Sequence, residues 1–426
     1  MLKPAPTTGD TEWFQHDRFG MFIHWGLYAQ AARHEWVKHH EEISNDDYQK
    51  YFDHFNPDLY NPREWARTAR EAGMKYFVVT TKHHEGFCLW NSRFTDYKAP
   101  RTPCGKDLLR PLVQAFRDEG LKVGFYYSLI DWHHPEFPID GIHPMRNHPD
   151  APEWNKSRDV RKYAAYLHDQ VRELLTEFGK IDIIWFDFSY PDNLHRGMRG
   201  KGREDWESEK LLKMVRELQP GIIIDNRLDL PADMADIHTP EQVQPREWVR
   251  VDGQPVVWEA CQTFSGSWGY FRDEYTWKSP EQLIRMLINS VSTGGNLLMN
   301  VGPTARGTFD PRALEALGAY RDWMRIHSRS IYGCTQSEFT APQDCRLTQN
   351  GSKLYVHVYA WPFQQLHLDG LAGRVEYAQL LNDASEIRFQ DSPGSEEASG
   401  PRGALTLNLP VRKPDVLVPV IELFLK

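Results

Sequence analysis

The sequence predicts a TIM-like (β/α) barrel followed by a C-terminal antiparallel β-sandwich. The 426 residues exceed the roughly 250 to 300 at which one hydrophobic core stops growing, so two domains are expected. Short apolar runs alternate with helical patterns up to about residue 330, as in parallel β/α units. Beyond that point apolar and polar residues alternate with period two, as in half-buried strands. We therefore expect a barrel domain over residues 1–332 and an all-β domain over residues 333–426.

Seven short apolar, β-branched or aromatic runs are the candidate barrel strands. They span residues 19–25, 76–81, 121–128, 181–188, 221–226, 255–261 and 296–301. Helix signals lie between them: Asn61 and Pro62 open one helix that Gly73 closes, and Ser279 with Pro280 opens another. This alternation favours a closed barrel over an open sheet, although no run stands out as the eighth strand.

Five alternating runs are the candidate strands of the second domain. They span residues 353–359, 366–368, 374–381, 404–409 and 416–424. The stretch 390–403 is rich in Ser, Gly, Pro and Glu and is expected to be an exposed loop. These runs are sufficient for a small antiparallel sandwich.

Composition narrows the function classes. The formal net charge is −9 with both signs interspersed, so there is no basic stripe for a phosphate backbone and no nucleic acid is expected as a partner. No run of about 18 apolar residues occurs, so neither a membrane span nor a signal peptide is expected. The five cysteines lack CxxC spacing, which argues against a disulfide framework or a zinc site. We expect a cytoplasmic protein, or a secreted or periplasmic one if a signal was removed, and leave open whether it forms a homo-oligomer.

Polar side chains follow most of the candidate barrel strands, and the carboxyl ends of barrel strands form the active-site face. The motifs at these ends are His24-Trp25-Gly26, His83-His84-Glu85-Gly86, Tyr126-Tyr127-Ser128, Trp185-Phe186-Asp187 and Asp225-Asn226-Arg227. Any one of them could cap a helix or bond to loop backbone. Together, however, carboxylates, imidazoles, a guanidinium and indoles are typical of a pocket for a small, neutral, hydroxyl-rich ligand.

Asp187 is the strongest single candidate. It ends an otherwise apolar run that begins at Ile181, so its carboxylate should stand at the barrel mouth with an apolar backing. A helix N-cap is the alternative role. Glu35 and Trp36 lie in the loop after the first strand, where an indole beside a carboxylate can clamp a sugar by stacking and hydroxyl bonding. For Trp36 the alternative role is a loop anchor.

The adjacent His83 and His84 raise a metal-dependent alternative, because His-rich barrel mouths also occur in metal-dependent hydrolases. Neighbouring residues on an ideal strand point to opposite faces, so both imidazoles do not readily bind one ion. We therefore expect no metal.

The order of motifs along the chain resembles the α-L-fucosidases of glycoside hydrolase family 29. The motifs are HWG (24–26), EW (35–36), KHHEGF (82–87), YYS (126–128), WFD (185–187), DNR (225–227), TPEQ (239–242), SWGY (267–270) and GGNLLMNVGP (294–303). The likeness covers the barrel from about residue 10 to 332, and IYG (331–333) resembles the family's entry into its C-terminal β domain. The SWGY position and the segment 194–206 depart from the family pattern, which leaves the leaving-group preference open.

The resemblance implies a retaining exo-glycosidase that hydrolyses terminal α-L-fucosyl linkages of oligosaccharides or glycoconjugates by double displacement, without a cofactor. It implies that Asp187 is the nucleophile and that Glu241, in TPEQ, is the acid/base, with Glu259 as second choice. The residues implied to bind the fucose hydroxyls are His24, Glu35, His83, His84, Tyr127 and Arg227. Those implied to wall the pocket are Trp36, Trp185 and Trp268.

Two other functions stay open at this point. One is a fucose-binding protein that lacks catalysis, against which the presence of both Asp187 and Glu241 argues. The other is a metal-dependent barrel hydrolase, which a chelator would inactivate.

Overall fold

Seven parallel strands form the curled sheet at the centre of the first part of the chain. The structure, a computed structural model, describes residues 2–391 and 403–426. The strands are β1 Phe19–Ile23, β2 Tyr76–Lys82, β3 Lys122–Ser128, β4 Ile183–Asp187, β5 Ile223–Ile224, β6 Glu259–Thr263 and β7 Asn296–Val301. Their order in the sheet is β6-β7-β1-β2-β3-β4-β5, so β1 to β5 are neighbours in chain order and β7 joins β1. The predicted TIM-like barrel is confirmed.

Each of the seven predicted runs overlaps one strand of this sheet, and the mismatch in extent is largest for two of them. The run 221–226 contains only the two residues of β5, because Asp225 accepts the Phe186 N–H through its side chain, at 3.0 Å. The run 255–261 was placed too early. Gln254–Pro255 pairs with Arg250–Val251 in a short hairpin, and β6 begins only at Glu259.

The eighth position of the barrel is filled by single bridges in place of a strand. Between β5 and β6 the segment 237–241 makes parallel bridges that join Asp225 to Ile237, His238 to Trp258 and Glu241 to Cys261. This segment reads Ile-His-Thr-Pro-Glu and has no apolar run, which is why no eighth strand could be recognised. It closes the barrel and carries Glu241.

Twelve α-helices in the described part of the chain surround the sheet or cross its connections. They are α1 Glu12–Asp17, α2 Tyr28–Ala31, α3 Val37–His40, α4 Asn45–Asp53, α5 Pro62–Glu71, α6 Leu109–Asp118, α7 Ala151–Trp154, α8 Val160–Glu177, α9 Arg203–Trp206, α10 Ser208–Leu218, α11 Pro280–Ser292 and α12 Pro311–His327. The predicted caps are present, since Asn61 accepts the Glu64 N–H and Ser279 forms a capping box with Gln282. None of the described helices combines the length and apolar character needed to cross a membrane.

Alternation along the strands separates an inner core from an outer one. On β3, Val123, Phe125 and Tyr127 belong to the core between sheet and helices, whereas Tyr126 belongs to the core inside the barrel. The inner core also contains Phe22 of β1, Trp185 of β4 and Cys261 of β6. Residues of inward parity at the carboxyl ends of the strands therefore reach the mouth of the barrel.

The C-terminal part is an antiparallel β structure of two sheets, as predicted. Its strands are β8 Thr335–Gln336, β9 Cys345–Asn350, β10 Lys353–Val358, β11 Gln365–Leu368, β12 Val375–Leu380, β13 Arg388–Asp391, β14 Leu405–Asn408 and β15 Val420–Leu425. One sheet has the order β8-β9-β10-β15-β12 and the other β11-β14-β13, with one apolar cluster between them. The predicted loop 390–403 starts too early, since β13 reaches Asp391, and residues 392–402 lie outside the described residues.

The barrel and the β sheets share one continuous core. Val418 and Val420 belong to the large barrel cluster, and the Trp323 indole of α12 donates to the Val418 carbonyl at 3.1 Å. Helix α12 ends at His327 and β8 begins at Thr335, so the predicted boundary after residue 332 falls in the connection. That the two parts are separate folding domains stays a prediction.

Candidate active site

A cavity of about 260 Å³ opens at the carboxyl ends of the barrel strands. Most of the predicted site residues border it. Its lining residues are Phe22, His24, His34, Glu35, Trp36, His40, His83, His84, Tyr126, Trp185, Asp187, Phe188, Glu241, Cys261 and Trp268. The structure thus brings the predicted ends of the first four strands together at one mouth, whereas Asp225, Asn226 and Arg227 of the fifth do not line the cavity.

Asp187 lies at the end of β4 with its carboxylate bonded on both oxygens. The Tyr126 hydroxyl donates to Oδ2 at 2.8 Å, and Nη1 of Arg227 donates to Oδ1 at 2.8 Å. Burial raises the pKa of Asp187, while the positive charge of Arg227 and the Tyr126 hydroxyl oppose that rise. The hydrogen bonds from Tyr126 and Arg227 thus stabilise the Asp187 carboxylate in a site that is largely shielded from solvent.

Glu241 faces the same arginine from the segment that closes the barrel. Nη1 of Arg227 donates to Oε2 of Glu241 at 2.8 Å, the distance it also keeps to Asp187. Two such bonds to one nitrogen limit the gap between the nearest carboxylate oxygens to twice 2.8 Å, or about 5.6 Å. Glu241 is exposed, whereas Asp187 is buried, so the two carboxylates lie at the rim and the floor of one cavity.

Three histidines of the cavity are uncharged donors or acceptors. Burial lowers the pKa of His24 to about 3 and the pKa values of His83 and His84 well below the usual range. His24 Nδ1 contacts Asn300 Oδ1 at 2.7 Å, and His84 Nδ1 contacts Ser128 Oγ at 2.7 Å, so both rings are oriented from behind. Neutral imidazoles held in this way suit hydroxyl groups, which both donate and accept.

Glu35 is held by backbone N–H groups on one oxygen, whereas its other oxygen lies against the His34 imidazole. Its Oε2 accepts the N–H groups of Gly269 at 2.8 Å and Trp268 at 3.2 Å. Its Oε1 lies 3.2 Å from Nδ1 of His34, but that nitrogen accepts the Trp36 N–H, so neither this oxygen nor the buried Nδ1 of His83 completes a hydrogen bond with a described residue. Since buried polar atoms are nearly always paired, these two atoms are the places where a polar ligand is expected to bond.

The three predicted tryptophans all border the cavity. Trp185 lies beneath Arg227, whose guanidinium is 4.4 Å from the indole centroid, and its ring stacks on Tyr126 at 5.7 Å. Trp36 contacts Phe188 at 5.2 Å, and Trp268 contacts His24 at 5.1 Å between ring centroids. The indoles give the cavity apolar walls around its polar groups.

Tyr127 is the one predicted site residue that the structure places elsewhere. It points outward from β3 into the layer between sheet and helices, where its hydroxyl donates to Gln170 at 2.8 Å. Tyr126 has the inward parity and takes the place expected for Tyr127. The prediction for Tyr127 is therefore wrong. The sequence does contain an indication that Tyr126 points inward. Gly124, Tyr126 and Ser128 lie on the same face of the strand, and small residues are expected on the face that points into the crowded interior of the barrel.

Glu259, the second choice for the acid/base, does not reach the cavity. It begins β6 at the amino end of the barrel, pairs with Asn296 in the ladder and is fully buried. Its carboxylate accepts from the Tyr76 hydroxyl. Of the two glutamates, only Glu241 shares a cavity with Asp187.

Arg227 is not among the residues that line the cavity. It lies behind the two carboxylates and is anchored by bonds from Nε to Thr239 Oγ1 at 3.0 Å and from Nη2 to the Thr239 carbonyl at 3.1 Å. Its predicted bond to a fucose hydroxyl stays a prediction.

Several functional neighbours were not predicted. Phe22, His34, His40, Phe188 and Cys261 also line the cavity. Asn300 of β7 orients His24 and donates to the Trp268 carbonyl at 2.6 Å. Asn300 lies within GGNLLMNVGP near the end of a predicted strand. The strand-end criterion that selected the other site residues therefore also predicts Asn300.

His83 and His84 both face the cavity, contrary to the strict alternation assumed for them. They follow the last residue of β2, so the geometry of the strand no longer applies, and their ring centroids are 4.0 Å apart. Within residues 2–391 and 403–426, no group of three or more His, Cys, Asp or Glu residues is arranged to hold a metal ion.

Comparison with known proteins agrees with this geometry. The family model described as alpha-L-fucosidase matches residues 6–329. Alpha-L-fucosidase isoenzyme 1 from Paenibacillus thiaminolyticus is 46% identical, with a TM-score of 0.91 over 98% of each chain. A family 29 alpha-L-fucosidase from Bacteroides thetaiotaomicron, trapped as a covalent intermediate with 2-fluoro-fucosyl fluoride, is 28% identical, with a TM-score of 0.83 over 100% of this chain and 98% of that one. Plasma alpha-L-fucosidase of Homo sapiens is 27% identical over 82% of this chain and 76% of its own. This chain belongs to the α-L-fucosidase family.

Proposed function

We propose that this α-L-fucosidase removes terminal α-L-fucosyl groups from fucosylated oligosaccharides or glycoconjugates with Asp187 as nucleophile and Glu241 as acid/base. The observation that carries these roles is the shared contact with Arg227, which keeps the nearest oxygens of the two carboxylates no more than about 5.6 Å apart. Retaining glycosidases place their carboxyl groups about 5 to 5.5 Å apart, and inverting ones roughly 6.5 to 9.5 Å.

The reaction proceeds in two displacements. In the first, an oxygen of Asp187 bonds to the anomeric carbon, the glycosidic bond breaks, and Glu241 gives its proton to the departing oxygen. In the second, Glu241 takes a proton from water, whose oxygen bonds to the anomeric carbon and releases Asp187. Two inversions leave the configuration of the fucose unchanged.

The remaining lining residues fit the sugar. Oε1 of Glu35 and Nδ1 of His83, which complete no hydrogen bond with a described residue, support binding of the ring hydroxyls, together with neutral His24 and His84. Trp36, Trp185 and Trp268 supply apolar surface for the sugar face and for the methyl group of a 6-deoxy sugar.

Release of nitrophenol from nitrophenyl α-L-fucoside tests the activity, and proton NMR of the reaction tests the stereochemistry. We expect α-fucose first, with the β anomer appearing only by mutarotation. β-Fucose as the first product would exclude the retaining mechanism and the role of Asp187. Activity that survives a chelator would exclude the metal-dependent alternative.

Azide rescue separates the two carboxylates. Asp187→Gly should be nearly inactive and should recover with azide to give β-fucosyl azide, because the anion attacks from the face that the carboxylate vacated. Glu241→Ala should recover with azide to give the α product, by attack on the fucosyl-enzyme. Identical products from both variants would contradict the assignment.

The proposed substrates are fucosylated oligosaccharides or glycoconjugates. A cytoplasmic location and a homo-oligomeric state both stay predictions.

A further inference from the structure

A bulge at the end of β2 changes the direction of the last side chain of that strand. Thr80 pairs with Tyr126, and Lys82 already pairs with Tyr127, so that two residues of β2 stand opposite one residue of β3. Val78 belongs to the core inside the barrel, and undisturbed alternation would point Lys82 the same way. The Lys82 ammonium lies instead 4.5 Å from the ring centroid of Tyr127, in the layer between sheet and helices.

The Lys82 ammonium is bonded in a place that is closed to solvent. It donates to Oδ2 of Asp131 and to the Tyr163 hydroxyl, both at 3.1 Å, and the side chains of Lys82 and Asp131 are only 0% and 2% exposed. Burial raises the pKa of Asp131, but the positive charge of Lys82 and the neighbouring His134 outweigh burial and hold this pKa below its usual value. Asp131 is therefore a buried carboxylate that Lys82 stabilises.

Asp131 organises the loop that follows β3. Its Oδ1 accepts the N–H groups of His133 at 2.9 Å and His134 at 2.8 Å, which fixes a turn. In this turn the Trp132 N–H donates to the His84 carbonyl at 2.8 Å, and the indole of Trp132 packs on the His84 ring with 5.4 Å between centroids. The loop therefore holds both the backbone and the ring of His84.

Tyr163 extends the same network toward the nucleophile. Its hydroxyl donates to the Leu129 carbonyl at 2.8 Å, and the Leu129 N–H donates to the Asp187 carbonyl at 3.0 Å. His84 in turn has its Nε2 3.8 Å from Oδ2 of Asp187. One ammonium thus connects the carboxyl ends of β2, β3 and β4 around the proposed sugar site.

Stability of the fold does not explain this ion pair. The attraction within a buried pair roughly offsets the cost of its desolvation, and apolar residues of similar volume often stabilise a protein as well or better. The rings of Tyr127, Tyr163 and Tyr166 surround the Lys82 ammonium, so an apolar side chain would also pack there. Neither Lys82 nor Asp131 borders the cavity, so the explanation lies in what the pair holds in place.

We propose that Lys82 is a positioning residue, which fixes the bulge at the end of β2 and thereby the place of His84 at the cavity. Its anchors are Asp131 and Tyr163. This inference rests on the proposed function, in which His84 binds a fucose hydroxyl. Lys82 touches neither the substrate nor the nucleophile, and its effect passes through His84.

Lys82→Met tests this role, because methionine fills much of the same space and bonds to neither anchor. We expect KM for nitrophenyl α-L-fucoside and the inhibition constant of L-fucose to rise about tenfold or more, because a displaced imidazole loses its contact in the ground state as well as in the transition state. Both constants are independent of the fraction of enzyme that is folded. A merely structural role would lower the maximal velocity and leave both constants unchanged.

A second variant removes the unpaired charge that Lys82→Met leaves behind, since an uncompensated buried carboxylate is strongly destabilising. Lys82→Met/Asp131→Asn carries neither charge and keeps an oxygen for the N–H groups of His133 and His134. We expect it to fold and to show the same rise in the inhibition constant of L-fucose. Wild-type constants in this variant would overturn the inference.

Lys98 provides a matched control. It is also a buried lysine in the connection after β2, but its ammonium donates to the Ser92 carbonyl and it does not border the cavity. Lys98→Met should lower the unfolding midpoint and leave KM and the inhibition constant unchanged. The same pattern in Lys82→Met would show a purely structural role.

A double-mutant cycle with His84→Ala identifies the route. If Lys82 acts through His84, the inhibition constant of L-fucose in the double variant should be no higher than in His84→Ala alone, whereas independent effects would multiply. Multiplying effects would overturn the inference. A wild-type enzyme that neither hydrolyses the fucoside nor binds L-fucose would instead contradict the proposed function, so the two failures are distinguishable.

Discussion

Arg227 is the residue on which both carboxylates depend. Arg227→Gln removes the positive charge that opposes the rise in the pKa of Asp187. Asp187 must be ionised to attack, so the acid limb of the kcat/KM profile should move to higher pH. We also expect kcat/KM at its optimum to fall by on the order of 10², as for loss of two to three kcal/mol. Arg306→Gln, which removes only an exposed pair with Asp58, is the control. An unshifted acid limb would remove Arg227 from the site.

The adjacent tyrosines of β3 allow a paired test. Tyr126→Phe removes a hydroxyl bond to Asp187, so we expect kcat/KM to fall about tenfold or more. Tyr127→Phe removes only the bond to Gln170, so activity should persist while the free energy of unfolding falls by about 1 kcal/mol. Steady-state kinetics and urea denaturation of both variants decide. The opposite pattern would place Tyr127 in the site.

The same two tyrosines show which features of individual site residues can be predicted from the sequence. The residue types of the site follow from the strand-end motifs and the family resemblance, since nine of the eleven predicted site residues line the cavity. Which of the two tyrosines points into the barrel is harder to predict. A strand that is buried on both faces shows no alternation of polar and apolar residues, and two adjacent tyrosines do not differ in residue type. The position of Glu259 along the barrel axis was also hard to predict. It depends on where β6 begins, and the predicted start of this strand was four residues before the observed start at Glu259.

At the scale of elements, the segment 237–241 sets the position of Glu241. Thr239 ties it to the barrel by donating through its N–H and hydroxyl to Asn226 Oδ1, both at 3.1 Å, and by accepting from Arg227. Thr239→Val keeps the shape and removes the hydroxyl bonds. We expect kcat/KM to fall about tenfold on a fucosylated disaccharide, whose poor leaving group needs the acid, and less than about threefold on nitrophenyl α-L-fucoside.

Thr348→Val serves as the control, since Thr348 bonds to the Ser330 carbonyl far from the cavity. It should lower stability without any dependence on the leaving group. Equal losses on both substrates for Thr239→Val would show that the tether does not act through Glu241.

Elements were predictable where they carry a hydrophobic run or a cap. The seven strand runs and the helices that begin at Pro62 and Pro280 follow from such signals. The closing segment 237–241 could not be predicted as an element, because it is held by side-chain bonds and single bridges that leave no periodic pattern.

At the scale of the whole molecule, buried imidazoles make the fold sensitive to acid. Burial lowers the pKa of His24 and His357 to about 3, and of His39, His133 and His327 to about 4. These groups bind protons in the unfolded chain below its pKa of about 6.5 but not in the folded one, so their contribution to stability is full above pH 6.5 and is lost toward pH 4. Five buried carboxyl groups with a raised pKa act in the opposite direction, namely Glu35, Glu85, Asp187, Asp225 and Glu259. The histidines outnumber them, because burial also lowers the pKa of His83, His84 and His143.

Urea denaturation at several pH values measures this effect. We expect the free energy of unfolding to fall between pH 6.5 and 4, and His357→Gln to lessen the fall. A stability that is constant over this range would contradict the predicted proton uptake.

The shared core predicts that the barrel and the β sheets unfold together. Trp323→Ala removes a buried indole and its bond to the Val418 carbonyl, so the free energy of unfolding should fall by about 3 to 5 kcal/mol. Loss of activity and loss of β structure should occur at the same urea concentration. Phe363→Ala, at an exposed position of the β part, should change neither. Two separate transitions would show independent domains.

The closure of the barrel by single bridges has an evolutionary consequence. Asp187 ends a strand with paired neighbours on both sides, where the insertion of one residue reverses the direction of every side chain beyond it. Glu241 lies on a segment that no continuous ladder fixes, so residues can be gained or lost there without reversing a strand. The nucleophile is therefore expected to keep the same position at the end of its strand in proteins that evolve from this fold. The position of the proton donor in the sequence is expected to vary as the leaving groups change.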